Sequence, residues 1–202
     1  MRHNFDDCLA LTLRLEGGFS DQPADPGGAT NMGITRATLA GVRGHAVSKA
    51  DVRALTRVEA AGIYRSIYWR AVRGDELPDG VDAVMFDHAV NSGPKAAIRT
   101  LQGALGFKQD GVLTRRCVDA AQSSDHAALV RSLCTARLNF LRRLSTWLVF
   151  RRGWMARMET LEQTALAMCA QAPKRAPAQT QDPSRAPAQT QDPSRAQAQT
   201  KE

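Results

Sequence analysis

Apolar positions in the first 170 residues recur mostly with the spacing of a helix that buries one face. Phe5, Cys8, Leu9, Thr12, Leu13 and Glu16 follow i, i+3, i+4, i+7, i+8, i+11 and so share one side. Asn4 or Asp6 can cap the start of this helix, and Gly17-Gly18 predicts its end, because glycine takes a left-handed cap at little cost. Ser20 to Asn31 contains Pro23, Pro26, Gly27 and Gly28, which predicts a loop or a short hairpin. A short helix is expected over 34–42, starting at Thr35, and further helical stretches over 51–55 and 56–69. In the latter, Thr56 and Glu59 have capping-box spacing. Residues 81–89 are apolar except for Asp82, Asp87 and His88, and Asn91-Ser92-Gly93 closes the run. Residues 95–105, 114–122 and about 127–168 again read as helix, with a turn over 106–113 and a break or kink at Gly153. Strand signals are weak throughout. The expected fold class is mainly α, with at most a small β-hairpin in the 19–34 region.

The pattern stops near residue 170. RAPAQTQDPS occupies 175–184 and again 185–194, followed by RAQAQT, and this polar repeat has no face to bury. Its composition predicts disorder for a tail over 171–202. What precedes it is long enough for one domain or two small ones, and the expected division is 1–94, 95–170 and the tail.

Charge adds one feature. The chain carries +7, and residues 171–202 hold five Lys/Arg against three acids, which leaves +5 for the rest. Seven arginines fall between Arg131 and Arg157 with no acid among them. Such a stretch suits nucleic acid, cell wall or phospholipid, or it is simply a solvated helix face. Cys8, Cys117, Cys134 and Cys169 are far apart, without metal-ligand spacing, so no metal site is expected and free buried thiols are the default. The strongest apolar cluster, residues 147–150, is too short to span a bilayer, so no membrane insertion is expected. The N-terminus has no cleavable signal pattern, because Asp6, Asp7 and Arg14 interrupt it. Synthesis in the cytoplasm is the expectation.

Glu16 is the residue whose position asks for an explanation. It ends the apolar stripe of its helix, where burial would raise a carboxyl pKa, and it lies at the negative end of the helix dipole, which also opposes ionisation. Both effects favour the protonated form that a general acid needs. Asp21, Asp25, Thr30 and Asn31 follow in a glycine- and proline-rich loop. An acid, a carboxylate and a hydroxyl gathered by one turn can hydrolyse an acetal. The plainer alternatives are a solvent-facing glutamate before a helix stop, and aspartates doing turn chemistry.

Glu16-Gly17-Gly18-Phe19, Asp21, Pro23-Ala24-Asp25-Pro26-Gly27-Gly28, Thr30-Asn31 and Gly33-Ile34-Thr35 together resemble the signature of glycoside hydrolase family 108, the phage-type and secretion-associated N-acetylmuramidases. The resemblance continues through Ile63-Tyr64, Tyr68-Trp69, Phe86-Asp87 and Ala89-Val90-Asn91-Ser92-Gly93. It implies a lysozyme-like helical fold, with Glu16 as catalytic acid. The Glu–Asp–Thr order is also similar to that of phage lysozymes, although four residues rather than five separate Asp25 from Thr30. Asp25 and Thr30 are therefore candidates to stabilise the oxocarbenium-like state or hold water. Asp87 is a rival second group, or else a helix carboxylate that fixes the glycine-rich loop. Asn31, Tyr64, Tyr68, Trp69 and Asn91 are candidates to line the cleft.

In the second half, Ala96-Ala97, Leu101-Gln102, Leu105-Gly106, Asp110-Gly111, Arg137, Phe140, Gly153-Trp154 and Arg157 resemble the family's helical peptidoglycan-binding module, with departures at Thr114 and Cys117. Trp147 and Trp154 either stack on sugars or pack between helices.

The reading that follows is a peptidoglycan hydrolase cutting the β-1,4 bond between N-acetylmuramic acid and N-acetylglucosamine. No cofactor and no metal are implied. The expected partner is the glycan strand, met by a monomer, with a holin or secretion machinery to release it to periplasmic peptidoglycan. A non-catalytic wall-binding or secretion scaffold is the alternative. No nucleic-acid partner is expected, because nothing near the arginines interleaves aromatics with base-reading residues.

Overall fold

The computed structural model describes residues 4–16, 19–21 and 28–171, without the side chains of Leu15 and Glu16. The expectations for Gly17-Gly18 as a helix stop, for Asp25 and for the repeat tail fall outside those residues.

The first helix, α1 (Phe5–Glu16), follows the apolar spacing. Its buried face includes Phe5, Cys8, Leu9 and Thr12 and widens to take in Leu11. The Asn4 carbonyl accepts the Cys8 N–H at 2.9 Å, but its side chain does not cap the helix. The Asn4 amide instead donates to the Asp82 carboxylate at 3.1 Å.

A two-strand antiparallel sheet follows, β1 (Thr30–Asn31) and β2 (Ile34–Thr35), with Thr30 opposite Thr35 and Asn31 opposite Ile34. Met32 (φ 49°) and Gly33 (φ 74°) both have positive φ. That is the type I′ turn, whose twist matches the strands it joins.

Threonine and serine then start one helix after another. The Thr35 hydroxyl accepts the Thr38 N–H at the head of α2 (Arg36–Arg43). Ser48 and Asp51 form a full capping box on α3 (Lys49–Arg53), one the sequence spacing had not singled out. Thr56 caps α4 (Arg57–Tyr64) through the Glu59 N–H at 3.2 Å. Glu59 does not return the bond as a capping box requires, because its carboxylate pairs with Arg43 of α2 at 2.9 and 3.0 Å. The expected single helix over 56–69 is instead α4 followed by a π-turn (Arg65–Trp69), where the Arg70 N–H reaches back five residues to Arg65.

The central element is α5 (Val81–Ser92). Every residue from Val81 to Ala89 is buried, the pattern of a helix covered on all sides. It packs against α1, α6 (Pro94–Ala104), α8 (His126–Arg142) and α9 (Trp147–Gln171), and α7 (Arg115–Ser123) lies on α8. Residues 94–95 sit at the start of α6, just past Gly93, and α5 carries packing from both sides of that position. At Gly80 (φ 86°) a Cβ would meet the Ala165 carbonyl oxygen at 2.3 Å, so glycine lets the start of α5 approach α9.

The last long pattern breaks at 143–146, not at Gly153. Gly153 is exposed inside α9 with nothing within 4 Å of its would-be Cβ, and the helix runs through it.

Two buried carboxylates lie on α5. Asp87 pairs with Arg137 of α8 at 2.5 Å and with Arg157 of α9 at 2.7 Å. Burial alone would push its carboxyl up, but the two guanidinium groups outweigh it and hold it below the ordinary carboxylate value. Asp82 accepts N–H bonds from Gly80 and Ala83 at 2.8 and 2.7 Å besides the Asn4 amide. With no cation beside it among the described residues, burial wins and its pKa is raised to about 7.

The four cysteines are free thiols, three of them buried. Burial pushes Cys134 up to about 12 and Cys169 up to about 11.

Candidate active site

Glu16 is the last residue of α1, as the stripe predicts. Four residues on, Ser20 pairs with Thr30 through two backbone hydrogen bonds, each 2.8 Å. Four residues of chain reach about 14 Å at most, so the end of α1 and the hairpin are held in one neighbourhood. Segment 19–21 is clamped from α3 on its other side. The Arg53 guanidinium lies 4.2 Å from the Phe19 ring centroid, and Lys49 pairs with Asp21 at 3.1 Å. Neither tie was visible in the sequence, since each pairs residues about thirty positions apart.

Two residues expected in the cleft act as struts for the hairpin. Asn31 is buried, and its amide donates to the Val52 and Arg53 carbonyls at 3.0 and 3.2 Å, which satisfies the end of α3. The Tyr64 hydroxyl donates to the Met32 carbonyl at 2.8 Å, and its ring is buried. That bond fastens the left-handed Met32, a conformation that costs a non-glycine residue free energy.

Thr30 itself is half-buried, with its hydroxyl donating to Gly28 at 3.3 Å. Tyr68 is half-buried beside Tyr64, ring centroids 5.6 Å apart. The π-turn places Trp69 wholly in the core, against Phe5 and Phe86 at 5.4 and 5.5 Å. Trp69 therefore gives its faces to α1 and α5 and none to solvent. Asn91 stands exposed in the last turn of α5. Asp87 is a structural carboxylate, and the partners it fixes among the described residues are Arg137 of α8 and Arg157 of α9. The signal for this was an acid in an otherwise apolar run, which once buried either finds a cation, as Asp87 does, or takes up a proton.

The residues of the second-half motif bond to one another, although Asp110 is exposed. Gln102 donates to Asp110 at 2.7 Å and to the Val112 carbonyl at 3.1 Å, and its Oε1 accepts the Gly111 N–H at 2.9 Å. Thr114 caps α7. An open groove of about 550 Å³ between α1, α4 and α9 is lined by Asp7, Arg14, Arg57 and Thr164 among others, and none of the expected site residues borders it. Among the described residues no three His, Cys, Asp or Glu side chains gather as a metal site would require.

A helical fold that brings the end of a Glu-terminated helix to a small hairpin belongs to the lysozyme-like class. The model of glycosyl hydrolase 108 matches residues 9–93. The solved structure of SagA from Brucella abortus is 43% identical, over 84% of this chain and 97% of that one, with a TM-score of 0.77. None of the curated proteins matches the chain. The chain belongs to glycosyl hydrolase family 108. It is thus a glycosidase, and the family together with the likeness to SagA supports peptidoglycan as its polymer.

Proposed function

We propose that the chain is an N-acetylmuramidase in which Glu16 is the general acid. The observation that carries this is the position of Glu16: it closes α1 within a short chain reach of the Ser20–Thr30 bridge, inside the segment that matches the family. The carboxyl proton of Glu16 passes to the glycosidic oxygen as the bond from C1 of N-acetylmuramic acid to that oxygen breaks. The sugar ring takes on positive charge at C1, which an anionic or hydroxyl neighbour stabilises. Asp25 and Thr30 are assigned that neighbourhood. Water then adds its hydroxyl to C1, and its one remaining proton passes to a carboxylate, from which Glu16 is restored to the acid form directly or through solvent. Tyr68 and Asn91, which keep exposed surface, are assigned to the glycan, whereas Asn31, Tyr64 and Trp69 hold the frame.

The net positive charge favours an anionic wall polymer. A monomer acting on periplasmic peptidoglycan, reached through a holin or secretion machine, completes the reading.

The test is digestion of purified peptidoglycan by the wild type and by Glu16→Gln, with mass spectrometry of the soluble products. Fragments with reducing N-acetylmuramic acid ends from the wild type alone support the assignment. Equal release by the variant removes Glu16 as the acid. If neither protein cleaves but both sediment with the wall, the chain is a wall-binding scaffold.

A further inference from the structure

The first turns of α9 carry apolar side chains that the other described elements leave exposed. Leu148 and Val149 are each 74% exposed, and Phe150 and Met155 about half exposed. The Trp154 ring lies between those of Phe150 and Trp147, with centroids 5.6 and 6.1 Å away, and all three stay partly exposed. No residue of α9 is fully buried before Met158: Trp147 and Trp154 rest partly against the core, while Leu148, Val149, Phe150 and Met155 turn outward. Contiguous exposed apolar surface of this kind marks an interaction site.

Charge selects the occupant. Arg151 and Arg152 lie within the apolar turns, and Arg142 and Arg143 stand just before them; all four are exposed and form no ion pair among the described residues. No acid interrupts residues 131–157, and the first turn of α9 has none to offset the positive end of its dipole.

We propose that this patch docks on an anionic phospholipid surface. Aliphatic tips enter the acyl boundary, tryptophans suit the interfacial zone, and arginines reach headgroup phosphates while their stems stay among apolar neighbours. The mode is peripheral, since no helix among the described residues is long and apolar enough to cross a membrane.

The same features disfavour other occupants. A glycan site pairs flat aromatic faces with amides and carboxylates, whereas Leu148 and Val149 are aliphatic and their charged neighbours are all arginine. A second copy meeting this patch about a two-fold axis would set arginine against arginine. A nucleic-acid backbone has no use for the aliphatic tips.

The test uses the full chain with vesicles of phosphatidylcholine, with and without phosphatidylglycerol, read by co-sedimentation and tryptophan emission. Trp69 is already fully buried, so a blue shift reports Trp147 and Trp154. Binding with a blue shift is expected on the anionic vesicles and not on the neutral ones. Arg151→Glu with Arg152→Glu should weaken binding by about tenfold or more. Leu148→Ser with Val149→Ser should remove the blue shift and most of the binding. Both double variants should keep the wild-type circular dichroism and peptidoglycan digestion.

The proposal is overturned if the wild type binds neither vesicle, or binds both equally. It is also overturned if neither double variant weakens vesicle binding. A wild-type dimer that the variants turn into a monomer, without vesicle binding, makes a second copy the occupant. Loss of sedimentation with cell-wall sacculi in its place makes the occupant the glycan.

Discussion

Two aromatic clusters in this molecule have similar composition and opposite fates. Trp69, Phe5, Phe86 and Tyr64 meet edge to face at 5.4 to 6.1 Å in the core. Trp147, Phe150 and Trp154 meet at similar spacing on the surface. The first group is covered because α1, the π-turn and α5 converge on it, and the cations near it have acidic or aromatic partners. Arg65, for example, lies over the Phe5 ring at 4.5 Å and pairs with Asp75. In the second group only Trp147 and Trp154 lean partly on the core, and Arg151 and Arg152 beside them form no ion pair among the described residues. What decides burial is the supply of neighbours, and the cluster left exposed among cations is the one proposed to dock on lipid.

The contrast is tested most severely at Asp87. It binds two arginines, one of them fully buried, so Asp87→Ala leaves uncompensated charge inside the bundle. The expected loss is about 3–5 kcal/mol in denaturant unfolding. A loss below about 1 kcal/mol would show that water reaches Arg137 and that the interior is less closed than its packing implies.

Gly74→Ala comes next. Its Cβ would lie 2.4 Å from the Trp69 ring, and the crowded aromatic core has no room to yield. Overpacking of this kind costs about 1–3 kcal/mol, readable as a lower thermal midpoint. An unchanged midpoint would mean that the Trp69 cluster tolerates repacking as freely as the surface one.

Asp82 sharpens the contrast within α5, because it is buried like Asp87 but has no cation among the described residues. Its folded pKa, about 7, lies above the unfolded value of 3.8, so the native state holds the proton more tightly. The stability it contributes is full below pH 3.8 and is lost as pH rises to about 7. Asp87 has the opposite sign: its pKa is lowered, so its contribution is present above the unfolded value and disappears as acid protonates it. In denaturant midpoints against pH, Asp82→Asn should remove a decline between about pH 4 and pH 7 and leave the acid limb intact. An unaltered profile would mean that the three N–H donors keep Asp82 ionised.

How much of this was readable from sequence depended on how local the cause was. Thr35, Thr56 and Thr114 each start a helix where the pattern placed one, since a hydroxyl and the N–H three residues on need no distant partner. The hairpin was readable as a cluster of turn residues. The break before α9 was not. Gly153 looked like the weak point, yet a lone exposed glycine costs a helix only about 1 kcal/mol, and the chain instead turned at 143–146, which holds neither glycine nor proline. Nonlocal partners were invisible as well. Helical spacing puts Tyr64 on a face and the turn residues put Asn31 at the end of a loop, but neither says that the partner is a carbonyl of the hairpin or the end of α3. At the candidate site, the position of Glu16 at its helix end was legible, while the clamps on segment 19–21 depended on contacts with α3.

The smallest expected effect on stability belongs to the surface cluster and is the most informative about it. Leu148→Ser with Val149→Ser removes aliphatic groups that already meet solvent at 74% exposure, so the folded state loses almost no contact. Surface changes of this sort shift unfolding by about 0.5 kcal/mol or less. The comparison predicts unfolding curves that overlay the wild type's, beside a core whose single substitutions cost several times more. A loss above about 1 kcal/mol would mean that these turns are packed in solution, against a second copy or another part of the chain. In that case the surface would not be free for any lipid, and the two aromatic clusters would differ only in which partner covers them.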